Sequence, residues 1–142
     1  MNVHVPGGEF QSIFKANFTD NEKQSVTFMG YIPHGGYMFS VDFFSNEKEN
    51  IPFHLKIFLR SGYILTNSYE SGYWGKEIYV PSNVVSPFHY DQDFTMEIKN
   101  TEKTVDVYVD GDRLLGFEHR LPFNQIDYIR FYGEVEINFI KF

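Results

Sequence analysis

Four side chains near the middle of the chain have the chemistry to act together: His54, Asn67, Trp74 and Glu77. Asn67 donates and accepts hydrogen bonds, Glu77 accepts through two oxygens, and His54 does either according to its tautomer. Trp74, the only tryptophan, offers a flat apolar face. A sugar asks for that mixture, because its hydroxyls need oriented partners while its C–H faces lie flat on an aromatic ring. Nothing in the set activates a nucleophile. Taken singly, each residue has a plainer reading: a lone Trp in a β domain is more often core, Asn67 a strand-end or turn residue, and Glu77 a solvated charge. Their value lies in the joint spacing.

Strands must position these groups. The stretch 51–80 reads IPFHLKIFLRSGYILTNSYESGYWGKEIYV. Its alternation puts Leu55, Ile57 and Leu59 on one face and His54, Lys56, Phe58 and Arg60 on the other, so that one face packs and the other is free to bind. Lys56 and Arg60 then read as solvated strand charges or as auxiliary ligand contacts. An antiparallel neighbour over 63–68 delivers Asn67, a short loop presents Trp74, and Glu77 enters the strand that follows.

The rest of the chain repeats this rhythm. Gly, Pro, Asn and Asp punctuate it every 8 to 14 residues or so, with no low-complexity block, internal repeat or linker. The clearest hairpin spans 103–117, where Val105, Val107 and Val109 alternate with polar neighbours and Asp110-Gly111 supplies the positive φ of a tight turn. Near the end, Val135, Ile137 and Phe139 share one face opposite Glu134, Glu136 and Asn138. Further strands are expected over 12–18, 25–29, 37–44, 77–80, 94–99 and 125–131. The 16 Phe and 10 Tyr suit pleated, half-buried surfaces. About eleven short strands and no amphipathic helix predict one all-β domain over 1–142, a two-sheet antiparallel β-sandwich in which each sheet buries its inner face. Periodicity alone does not separate this from a closed barrel.

At these residues the sequence resembles the galectin family over nearly its whole length. Asn67 is followed seven residues later by Trp74-Gly75, with Glu77 two beyond the glycine, as in the family's N...WG-x-E pattern. Pro87-Phe88 with Phe94, the VDVYVDG run at 105–111, FEHRLP at 117–122 and the stretch 126–133 are similar to its framework, as are Val5-Pro6-Gly7-Gly8 and Gly30. The resemblance implies a galectin-like jelly roll and a lectin for galactose-containing glycans, with His54, Asn67, Trp74 and Glu77 as sugar contacts. It departs from the family where H-x-N-x-R is usual: Lys56 stands for the Asn and Phe58 for the first Arg. The second Arg falls at Tyr79, and the interval between His54 and Asn67 is short. Arg60, of the same parity beyond Phe58, is the nearest replacement guanidinium. These changes imply altered or weakened specificity, or, as the alternative, a galectin-fold protein–protein interaction module that has lost sugar binding.

Several classes are excluded. A formal net charge of -7 argues against a phosphate-binding surface and thus against nucleic acid. Without cysteine there are no disulfides or thiolate metal sites. His4, His34 and His89 lack metal-ligand spacing, Asp91, Asp93, Asp110 and Asp112 read as turn residues, and His119-Arg120 belongs to the framework. No cofactor, metal or catalytic machinery is expected. The first residues lack the basic and apolar regions of a secretory signal, and no apolar run approaches a membrane span. A cytoplasmic protein is expected, or one that reaches the outside by a signal-independent route as the resemblance allows. Exposed edge strands offer a route to a homodimer.

Overall fold

The computed structural model describes residues 11–18, 24–45 and 49–142. His4 and the motif Val5-Pro6-Gly7-Gly8 lie outside them. Twelve strands are found among the described residues: β1 (Gln11–Lys15), β2 (Gln24–Tyr31), β3 (Met38–Ser45), β4 (Asn50–Phe58), β5 (Ile64–Glu70), β6 (Tyr73–Trp74), β7 (Ile78–Tyr79), β8 (Asp93–Asn100), β9 (Thr104–Val109), β10 (Asp112–Glu118), β11 (Tyr128–Gly133) and β12 (Glu136–Lys141). They form two antiparallel sheets. One runs β1-β11-β3-β4-β5-β6 with β7 also paired to β5, and the other runs β10-β9-β8-β2-β12. The β-sandwich expected from the alternation is therefore the fold, and the closed barrel is not.

Alternation explains which residues meet between the layers. Leu55 and Ile57 of β4 are fully buried, as are Val105 and Val107 of β9, while the intervening side chains face outward. Aromatic rings fill much of the space. Phe53 of β4 meets Phe117 of β10 at 5.4 Å, and Phe28 of β2 meets Phe131 of β11 at 4.9 Å, both pairs bridging the two sheets. Each fully buried ring removes enough apolar area to contribute about 2 kcal/mol.

Two local features differ from the sequence expectation. In β12 the register slips between Ile137 and Phe139. This bulge turns Phe139 partly outward and brings Ile140 into the core instead, because one extra residue reverses the parity of everything after it. The expected loop before Trp74 is a hairpin. Ser71 and Gly72 take φ values of 53° and 89°, so the chain turns over two residues and Trp74 pairs with Tyr69. By contrast Asp110 (φ 50°) and Gly111 (φ 87°) make the turn that the Asp-Gly pair predicts.

Candidate functional site

The outer face of the first sheet carries a groove of about 530 Å³. Its floor is built from cross-strand rows. In one row Arg130 of β11 lies opposite Asp42 of β3, Asp42 opposite His54 of β4, and His54 opposite Asn67 of β5. In the next, Tyr132, Ser40, Lys56, Leu65 and Tyr79 line up in the same way. Directly opposed side chains sit about 5 Å apart at Cβ, so each row is a chain of contacts across the sheet.

The first row is held by charge and hydrogen bonds. Arg130 donates through Nε and Nη2 to Asp42 Oδ2, at 3.1 and 2.7 Å. Asp42 is almost wholly buried, at 2% exposure, and its other oxygen meets His54 Nδ1 at 2.5 Å. A carboxylate can only accept, so the His54 proton resides on Nδ1, and a neutral ring turns Nε2 outward as an acceptor. The tautomer that sequence left open is thereby fixed. An unpaired carboxylate at this depth would be costly, and the two cationic or donor neighbours offset that cost.

Asn67 is nearly as buried, at 3% exposure. Its Oδ1 accepts from Ser68 N–H at 2.8 Å and from Arg120 Nη1 at 2.9 Å, while its Nδ2 donates to Gly75 O at 3.0 Å. These bonds leave one Nδ2 hydrogen unused. Arg120 also donates to Ser68 Oγ at 3.1 Å and to Lys76 O at 2.6 Å, tying the 74–77 segment to β5. Glycine follows Trp74 for a reason visible here. A Cβ at Gly75 would come within 2.5 Å of Arg120 Nη1 and 3.1 Å of Asn67 Oδ1, displacing both from their bond.

Trp74 stands 50% exposed at the groove wall, braced by His54 at 4.7 Å and Tyr69 at 5.2 Å between ring centroids. Glu77 lines the same groove and accepts a hydrogen bond from the Tyr79 hydroxyl at 3.0 Å. That bond, with desolvation and the Glu77 charge adding to it, pushes the Tyr79 phenol above the usual tyrosine range, so it remains a donor throughout neutral and moderately alkaline pH. Lys56 also lines the groove, its ammonium 4.9 Å from the Phe58 ring centroid.

The structure thus brings His54, Lys56, Asn67, Trp74 and Glu77 around one groove and leaves Arg60 outside it. Arg60 follows the end of β4, donates to Gly35 O at 3.3 Å and lies over Tyr37. Parity along a strand does not carry past its last paired residue. Sequence reading missed Asp42, Arg130 and the hydrogen bond from Tyr79 to Glu77. A single acid inside MFSVDFFS was the available signal for Asp42, since a buried charge needs a partner. Arg120, assigned from sequence to the framework, holds Asn67 and the segment after Trp74 without lining the groove itself. Among the described residues no cluster of three or more His, Asp or Glu could hold a metal ion.

A sequence model of the galactoside-binding lectin family matches residues 9–142. Galectin-4 of Sus scrofa is 28% identical over 120 residues, 84% of this chain and 36% of that protein. The 32 kDa beta-galactoside-binding lectin of Caenorhabditis elegans is 27% identical over 101 residues, 71% of this chain and 34% of that protein. The chain thus spans about a third of the length of these relatives. Among solved structures, sheep galectin-11 in complex with glycerol superposes with a TM-score of 0.78 at 19% identity, covering 96% of this chain and 98% of that one. A Caenorhabditis elegans galectin gives 0.78 at 16% identity, covering 99% and 96%.

Proposed function

We propose, from the premise that this chain belongs to the galactoside-binding lectin family, a family of carbohydrate-binding lectins and not of enzymes, that its groove binds galactose-containing glycans with a specificity shifted from the family's usual one. Trp74 is the platform for one sugar face. His54 Nε2 accepts from a hydroxyl, the free Asn67 amide hydrogen donates to another, and Glu77 accepts a third. Lys56 is an auxiliary contact. The observation that carries this reading is a half-exposed indole standing beside polar groups whose orientation is already fixed by the protein. Fixed partners let a site discriminate hydroxyl orientation without spending ligand affinity on ordering them.

The expected strength is modest. Stacking that buries roughly 100 Å² contributes about 2.5 kcal/mol and each hydrogen bond about 1 kcal/mol, before ordering costs. That corresponds to roughly millimolar to micromolar binding per site, so joining several sites would raise avidity.

Calorimetric titration with lactose tests the reading. A saturable heat in that range, lost in Trp74→Ala, supports it. Silence across a set of galactosides at tens of millimolar would turn the reading toward a protein-binding module, for which Lys56 and Phe58 in place of the usual Asn and Arg are the supporting residues.

A further inference from the structure

The large hydrophobic side chains left in the open are not spread evenly. Five of the eleven such groups among the described residues, Tyr63, Ile78, Tyr79, Val84 and Val85, gather where β7 and the turn after it close the edge of the first sheet, and they are 40–85% exposed. Tyr63 meets Tyr79 at 6.4 Å between ring centroids. Together they expose on the order of 500 Å² of apolar surface, about the apolar share that a standard dimer interface takes from each partner. Charge avoids the same region: residues 61–69 and 78–88 hold no Asp, Glu, Lys or Arg, in a chain that is 22% charged. We propose that this surface pairs with a second copy of the chain about a twofold axis, the Val85 side chain of each copy entering a hollow on the other.

Knob and hollow lie side by side. The Val84 N–H donates to Pro81 O at 2.9 Å, and this turn holds out Val85, the most exposed of the eleven at 85%. The hollow, of about 250 Å³, lies between β7 and β10 and is walled by Ile78, Val80, Pro81, Val84, Leu114 and Leu115. The β10 bulge between Arg113 and Leu115 shapes its far wall by leaving Leu114 out of the ladder. A twofold interface meets itself, so one patch must carry both halves of every contact. Val84, the neighbour of Val85, is part of the hollow's wall, and an axis passing beside it lets both knobs meet both hollows at once.

Charge selects the second copy over other occupants. Two chains of net charge -7 repel each other, so they approach best through a surface that carries no charge. A cationic partner would be steered to the acidic surfaces instead. Arg113, at the rim of the hollow, is already paired with Asp106 at 3.4 Å. Neither Val85 nor Leu114 lines the groove, so pairing does not depend on what the groove binds. Where the groove takes a glycan, pairing joins two sites and raises avidity.

Sedimentation equilibrium on the full chain tests this. The mass should rise with concentration from 16.7 kDa toward twice that value, with a Kd on the order of 10 µM. Val85→Arg carries a charge into an apolar hollow and Leu114→Asp places one in its wall, so each should weaken association at least about a hundredfold. An equimolar mixture of the two variants should pair again, because each intact knob then meets an intact hollow and each altered knob an altered hollow of opposite charge. That recovery also shows that both variants fold. Ile13→Asp, on the exposed β1 at the other edge of the same sheet, should leave pairing unchanged. A chain that stays monomeric to about 0.5 mM overturns the inference, as does a dimer that survives Val85→Arg, one that Ile13→Asp dissolves, or a mixture of the two variants that stays monomeric.

Discussion

The two ends of the groove are built by different physics. At the β3–β5 end each buried polar group is fixed by another residue: Arg130 holds Asp42, Asp42 holds His54, and Arg120 holds Asn67. At the β7 end the rings need only area, and their contacts are edge-on and partly solvated. Polar recognition depends on direction, so each hydroxyl-reading atom needs a second residue to aim it. Apolar recognition does not.

If that contrast is right, damage should be deepest at the polar end. Asp42→Ala removes the acceptor of two partners and leaves Arg130 and His54 without it. It should cost about 3–5 kcal/mol in denaturant unfolding and abolish measurable galactoside binding. Arg120→Ala comes next: it strips a donor from Asn67 Oδ1, so affinity should fall about tenfold with a stability cost of about 1–3 kcal/mol. Such a loss from a residue that does not line the groove would separate aiming from contact.

Tyr79→Phe keeps the ring and removes only the bond to Glu77, so galactoside affinity should drop about fivefold. Because the folded state raises the Tyr79 pKa, the bond is intact below the ordinary tyrosine value and is lost as pH rises through the folded one. The weak alkaline decline in wild-type binding should be missing from the variant. Lys56→Ala should change lactose binding least, by about two- to threefold, since a partly solvated ammonium over a ring is worth about 0.5 kcal/mol. A Lys56 effect larger than that of Arg120 would overturn the ranking of the two ends.

The legibility of the molecule divides along similar lines. Strand alternation is local, so Val105–Val109 and the Asp110-Gly111 turn could be read directly, and the wide use of Phe pointed to the layered core. The bulge in β12 could not, because nothing in Glu136–Lys141 announces that one residue will be left unpaired. The Ser71-Gly72 turn carried a readable signal that a two-residue strand is too short to amplify. At the site, Asn67, Trp74 and Glu77 lie close enough in sequence for their spacing to speak. Asp42 and Arg130 are 88 residues apart and meet only through the β11–β3 register, which no local pattern encodes. Arg60 failed for the converse reason: its alternation was correct and its strand had ended.

The central claim is that Trp74 receives a galactoside whose hydroxyls are read by side chains already aimed. Since the chain has a single tryptophan, ¹⁵N-labelled protein gives one indole N–H resonance to follow by NMR. Addition of methyl β-galactoside should move it saturably, and methyl β-glucoside, which differs only in the orientation of one hydroxyl, should leave it in place. An indole that ignores the galactoside, or answers both epimers alike, would contradict the account.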